Sequence, residues 1–266
     1  MQVLRRGFMQ FAVLTFVTIA LALSAQATTY SKASLKGGYS FSINLWTADA
    51  STTEYAIVGV LTFSGTGTVT GSYTQGSGDV FDTGTLGGTY TVKSNGTGTI
   101  TFTTGSTAEF AIVLNSPTTA GVAQGVQLLQ TNDTNNEVVS GTAILQSSTT
   151  QTYSVASLNG NFAFQWINWT ANTGVPQASI LGTISFNGKG SCKDSYTSVF
   201  DGKVTTKSQT CTYTVNANGT GSIVFPGSQG AFALNSAASG QAKGAQFLQN
   251  LNEKGNYVIT GIAFAQ

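Results

Sequence analysis

From Gly37 onward, apolar and polar residues alternate in short runs broken by glycine, asparagine and serine. Tyr39, Phe41, Ile43 and Leu45 alternate with Ser40, Ser42 and Asn44, and Ile57, Gly59, Leu61 and Phe63 keep the same rhythm. Side chains alternate across a strand, so these runs predict strands with one dry face and one wet face. About eight strands are predicted in the first half of the chain, near 39–46, 55–63, 67–74, 87–93, 98–103, 108–114, 121–130 and 137–146. No stretch after the N-terminal segment has a convincing helical period.

The whole pattern occurs twice. Tyr30-Ser-Lys-Ala-Ser-Leu-Lys-Gly-Gly-Tyr-Ser-Phe returns as Tyr153-Ser-Val-Ala-Ser-Leu-Asn-Gly-Asn-Phe-Ala-Phe, 123 positions later. The offset holds to Phe102/Phe225, falls to 119 at Gly125/Gly244 and ends at 120 at Ser140/Thr260. The fold class expected is all-β, a tandem duplication of an antiparallel, roughly eight-stranded barrel, with a β-sandwich as the alternative. The units span 28–146 and 153–266, joined by a polar linker at 147–152. Each is long enough to hold its own core and is expected to fold alone.

Turn residues set the register. Lys93-Ser-Asn-Gly-Thr97 and Asn216-Ala-Asn-Gly-Thr220 both contain Asn-Gly, a hairpin signal. Matching apolar residues across a three-residue loop with a bulge pairs Tyr90 with Phe102, Val92 with Ile100 and Tyr213 with Phe225. Asp201-Gly202 predicts a two-residue type I′ hairpin. That turn places Cys192 opposite Cys211, where the first copy has Val69 and Gly88. These are the only cysteines, and a disulfide between them is expected in an exported chain.

Residues 1–27 read as a signal peptide: Arg5 and Arg6, an apolar run from Phe11 to Leu23, and Ala25-Gln26-Ala27 as the cleavage site. Thr28 is the expected mature N-terminus, with no transmembrane anchor left after cleavage. The paired arginines also fit a twin-arginine signal, although Leu4 stands where that signal has Ser or Thr. General secretion is the default, to the periplasm or the extracellular space.

Composition then excludes several classes. The mature chain keeps nine Lys and ten acidic residues, with no Arg and no His. Without a basic stripe nucleic acid is set aside as a partner, and without His the Ser-His-Asp and His-metal arrangements are absent. Asp79 and Asp82 read as turn residues, and no calcium-loop pattern is present. No catalytic residue, metal or cofactor is expected. Residues 28–152 are net −4 and residues 153–266 net +3, which suggests contact between the halves or with a charged partner. Trp46 and Trp169 recur at the ends of the first strands, and Gln127 and Gln246, with Gln130 and Gln249, recur in a late strand. An aromatic beside amides at a barrel mouth suits a small apolar ligand or a saccharide.

Leu35-x-Gly37-x-Tyr39 and Leu158-x-Gly160-x-Phe162 precede the first strand of each unit. This resembles the opening motif of lipocalins, in which Gly-x-Trp starts the first barrel strand. Tyr39 and Phe162 here take the Trp position, and the match covers about five residues of each copy. The resemblance implies a calycin-like barrel with an apolar cavity. The function expected is that of an exported, non-enzymatic protein that binds a small apolar ligand or saccharide, or mediates surface interactions. The alternatives are a structural envelope or matrix component without a pocket, an outer-membrane barrel, and an enzyme using only carboxylates and tyrosines.

Overall fold

The predicted alternation becomes sixteen strands in a computed structural model, which describes residues 29–47, 55–77, 80–133, 137–147, 151–170, 176–251 and 257–266. The expected signal peptide, the expected turn at Gly78-Asp79 and residues 148–150 of the expected linker lie outside the described residues. The first unit holds β1 (Lys36–Thr47), β2 (Tyr55–Ser64), β3 (Thr68–Ser77), β4 (Val80–Val92), β5 (Thr97–Thr104), β6 (Glu109–Pro117), β7 (Ala123–Gln130) and β8 (Glu137–Ser147). The second holds β9 (Asn159–Thr170), β10 (Pro176–Asn187), β11 (Ser191–Phe200), β12 (Lys203–Val215), β13 (Thr220–Phe225), β14 (Ser228–Asn235), β15 (Gly244–Leu251) and β16 (Tyr257–Ala265). Every neighbouring pair is antiparallel. β1 also pairs with β8, and β9 with β16, so each unit is a closed eight-stranded barrel and not a sandwich. Closure leaves no open sheet edge in either unit.

Each barrel has one plugged end. The chain enters through a single 3₁₀ turn, Lys32–Ser34 or Val155–Ser157, and then buries Leu35 or Leu158 completely. The Tyr90 hydroxyl donates to the carbonyls of Lys32 (2.9 Å) and Leu35 (2.8 Å), and Tyr213 does the same to Val155 (3.1 Å) and Leu158 (2.9 Å). Gly37 and Gly160 then turn the chain into β1 and β9 at φ of 97° and 105°, a conformation that residues with a Cβ avoid. The glycine of the Leu-x-Gly-x-aromatic motif is therefore a backbone requirement. Above each plug three rings pack edge to face. Tyr39, Phe63 and Tyr90 do so at 5.3 and 5.1 Å, and Phe162, Phe186 and Tyr213 at 5.4 and 5.0 Å.

The hairpin registers divide. Val199 faces Val204 and Phe200 faces Lys203 around Asp201 and Gly202, whose φ values are 47° and 74°. Two successive positive φ values make the type I′ turn. Cys192 therefore faces Cys211, and the two form a disulfide with their Cα atoms 4.9 Å apart, inside the usual range. The Asn-Gly hairpins correct the expectation. Tyr90 faces Ile100 rather than Phe102, Val92 faces Gly98 rather than Ile100, and Tyr213 faces Ile223 rather than Phe225. The loop does have three residues, and Gly96 (φ 84°) closes it by donating to the Lys93 carbonyl. A shift of two leaves every side chain on its original face, so apolar matching could not tell the registers apart. The loop hydrogen bonds decide between them. The expected bulge lies further along, opposite Gly87 and Gly88.

The barrels pack side by side with their plugged ends together. The Gln146 side-chain amide, near the end of β8, donates to the carbonyls of Asn218 (3.1 Å) and Leu234 (2.8 Å). Ala56 and Val58 on the outer face of β2 form a buried apolar cluster with Ala231, Leu248 and Val258. The Gln246 amide donates 2.8 Å to the Ser40 carbonyl across this contact. None of these residues is charged, so the opposite net charges of the halves do not join them here.

Candidate functional site

At the end opposite the plug, the first barrel contains a cavity of about 250 Å³. Phe41 and Ile43 reach it from β1, Tyr55 and Ile57 from β2, Tyr73 and Gln75 from β3, and Leu86 from β4. Phe102, Phe110, Gln130 and Val139, with Gly105, Ser106 and Ala108 of the β5–β6 connection, complete its wall. Most of these side chains are aliphatic or aromatic, and the amides of Gln75 and Gln130, the Ser106 hydroxyl and the phenols of Tyr55 and Tyr73 add polar groups. Mostly apolar walls with a few placed polar groups are the usual composition of a small-molecule site.

The rim is acidic. Glu137 lies two residues before the inward-pointing Val139 on β8, and Asp82 lies four before the inward-pointing Leu86 on β4, so both share the inward face of their strands. The Glu137 backbone N–H donates 2.6 Å to the Asp133 carboxylate. Burial first, and then the Asp133 charge, raise the Glu137 carboxyl above its ordinary range. Burial, with the negative Glu137 and Asp133 beside it, pushes the Tyr55 phenol up to about 12. Tyr55 thus keeps its proton at neutral pH, on the cavity wall close to the rim carboxylates.

The second barrel keeps the tyrosine staple and edge-to-face rings and changes other interior positions. Trp166 stands where the first copy has Ile43, and Phe247 where it has Leu128. Trp166 stacks on Phe164 at 4.2 Å and meets Phe225 at 5.9 Å and Phe247 at 5.7 Å. Glycines make room for both arrangements. Gly261 lies beside Trp166 as Gly141 lies beside Ile43, and a Cβ at either glycine would run into that neighbouring side chain.

Asp194 is the other change, with Gly71 as its counterpart. It is fully buried on the inward face of β11, between Cys192 and Tyr196. Its carboxylate accepts from the Gln209 backbone N–H and side-chain amide, both at 3.2 Å. Burial raises its pKa, and the Gln209 hydrogen bonds only partly offset this. A carboxyl raised in the folded state contributes stability that is complete below its unfolded pKa and is lost as pH rises through the folded value. Asp194→Asn is therefore expected to raise the melting temperature at neutral pH by a few degrees, on the order of 2–4 °C. Gln209 would turn its amide to pair with the new one. The gain should vanish near pH 3.5, where the unfolded carboxyl is itself protonated. An equal gain at both pH values would show that packing, and not ionisation, is responsible.

The residues singled out in the sequence fall mainly between the barrels. Trp46 and Trp169 point outward from β1 and β9 and meet edge to face at 6.0 Å. Gln127 and Gln246 line one groove of about 400 Å³ between the barrels. Gln246 is buried there by its bond to Ser40, whereas Gln127 is exposed. Gln130 lies in the first-barrel cavity and Gln249 is buried in the second barrel, where its amide donates 2.7 Å to Ser228. Tyr55, Tyr73, Gln75 and Asp194 belong to no motif or repeat signature in the sequence. Their signal was the period of two: each keeps step with inward-pointing neighbours while being too polar for an ordinary core.

Among the described residues no group of three or more His, Cys, Asp or Glu could hold a metal ion, and no helix is long and apolar enough to cross a membrane. No protein-family model matches the chain, and no curated protein matches it in sequence. Its fold is similar to several solved structures. One is a protein of unknown function from the DUF3598 family of Nostoc punctiforme, with 11% identity over 88% of this chain and 97% of that one, at a TM-score of 0.28. Another is isotype 1 transferrin-binding protein B from serogroup B Neisseria meningitidis, with 9% identity over 88% and 77%, at 0.27. A third is a protein described as AttH from Nitrosomonas europaea, with 7% identity over 85% and 92%, at 0.26. At such identities and scores no function passes from them to this chain.

Proposed function

We propose that this is an exported, non-enzymatic binding protein whose first barrel takes up a small, largely apolar ligand, while the second barrel, with large rings packed in its interior, serves as a scaffold. The observation that carries this reading is the cavity of about 250 Å³ behind Tyr55 and Tyr73, set against the stacked aromatic rings around Trp166. Its volume suits a ligand smaller than most drug-sized molecules. Its rings and aliphatic side chains favour an apolar occupant over a saccharide, and its presence favours binding over a purely structural role. The mature chain has no histidine to act as a base near neutral pH, and the Tyr55 phenol stays protonated there. Both points support a non-catalytic role. Export is supported by the signal-like N-terminal segment and by the disulfide, a bond that persists in oxidising compartments.

The test places in the first barrel the ring that packs inside the second. Ile43→Trp reproduces Trp166, and Gly141 already supplies the space that Gly261 gives the second barrel. Titration of the wild type with 2-phenylethanol, followed by calorimetry, should show one site. Ile43→Trp should reduce binding at least about tenfold, the loss expected when an apolar pocket is filled, and keep a cooperative melt. A wild type that binds no small apolar probe would favour the structural reading.

A further inference from the structure

We infer that the first-barrel cavity selects small organic cations: an aromatic or aliphatic ammonium whose apolar body fills the barrel and whose charge rests at the acidic rim. This rests on the binding reading above and narrows the ligand class.

Charge in the first barrel is sorted by end. Its four described carboxylates, Asp82, Glu109, Asp133 and Glu137, all lie at or beyond strand ends on the open side. Its three lysines, Lys32, Lys36 and Lys93, lie at the plug and at the β4–β5 hairpin on the opposite side. Such a distribution draws a cation toward the mouth and repels an anion from it. Asp82 and Glu137 stand on opposite walls of the rim, because β4 and β8 are four strands apart in a barrel of eight.

The wall beneath the rim adds a second attraction. Phe41, Tyr55, Tyr73, Phe102 and Phe110 surround the cavity, and a cation is drawn to the faces of aromatic rings. The amides of Gln75 and Gln130 can accept hydrogen bonds from an ammonium through their carbonyl oxygens. A ligand carboxylate would meet the Glu137 and Asp133 charges with no described cation of this barrel on the same side. Lys203 and Lys207 of the second barrel are at the start of β12, two strands round from β14, which packs on the first barrel, and at the opposite end of β12 from the Asn218 hairpin that touches it.

Three probes of similar size separate the ideas: 2-phenylethylamine, 2-phenylethanol and phenylacetate, titrated by calorimetry into the full mature chain at low and high salt. The amine should bind tightest, the alcohol more weakly and phenylacetate weakest. The advantage of the amine should shrink as salt rises. Glu137→Gln should weaken the amine about three- to tenfold and leave the alcohol within twofold. Asp82→Asn, on the opposite wall, should act in the same direction and serves as the second variant if Glu137→Gln does not fold. Glu109→Gln removes an equal charge from the outward face of β6 and should weaken the amine less than Glu137→Gln does. If the alcohol binds and the amine gains nothing over it, or if Glu109→Gln and Glu137→Gln have equal effects, the cation preference is wrong and the binding site stands. If none of the three probes binds, the binding reading itself falls.

Discussion

Val58→Asp is expected to part the two barrels and leave both folded. Val58 lies on the outer face of β2 and is only 1% exposed, because Ala231, Leu248 and Val258 of the other barrel cover it. A carboxylate there would lose its water and meet apolar side chains. Leaving a charge buried without a partner costs on the order of 3–5 kcal/mol. Separation avoids that cost by returning the face to solvent. It should not unfold either barrel, because the Leu35–Leu145 core and the Tyr153–Ala263 core contain none of these five residues. The radius of gyration from small-angle scattering should rise, and the melt should split into two transitions. Val58→Thr, of similar shape and uncharged, should remain joined. A Val58→Asp protein with unchanged radius and a single unchanged melt would show that the contact does not couple the barrels.

The disulfide should matter most to the second barrel. Cys192→Val combined with Cys211→Gly restores the residues of the first copy, Val69 and Gly88, which face each other in the same way. The fold can therefore form without the bond. What is lost is the restraint on the unfolded chain across a separation of 19 residues, about 3 kcal/mol on the chain-entropy account. For a domain of this size that lowers the melting temperature on the order of 10 °C. Reduction of the wild type should give a similar loss. In the Val58→Asp background, where the barrels melt separately, the fall should appear only in the second transition. Two free thiols titrated in the native oxidised protein would refute the bond.

The two results bear on function together. The plugged ends share the tyrosine staples and edge-to-face rings, with Phe162 in the place of Tyr39 and the disulfide in the second barrel in the place of Val69 and Gly88. Farther along the interior the barrels differ through a few residues, Ile43 against Trp166 near the middle and Gly71 against Asp194 just above the plug rings. A duplication that keeps its staples and changes its interior can place binding in one barrel and support in the other.

The sequence alone determined the features that depend on neighbours along the chain. A period of two placed all eight strands of the first unit close to their true bounds, although β4 begins at Val80, seven residues before the predicted start. The repeat placed the second unit. Asp201-Gly202 determined a register, and that register determined the disulfide, because two consecutive left-handed residues allow only one way to close the hairpin. The tertiary structure decided what depends on distant strands. Closure required β1 to meet β8, a pairing that no local pattern encodes. The Asn-Gly hairpins took a register two residues from the expected one, and a pattern of period two cannot see a shift of two. Trp46 follows the inward Leu45 and so must point outward, but only the docked second barrel decides that Trp169 covers it. The cavity is the clearest case. Its volume is what remains after side chains from eight strands have filled the barrel, so replacing Ile43 by Trp166 becomes meaningful only once Phe164, Phe225 and Phe247 are seen to close around the larger ring.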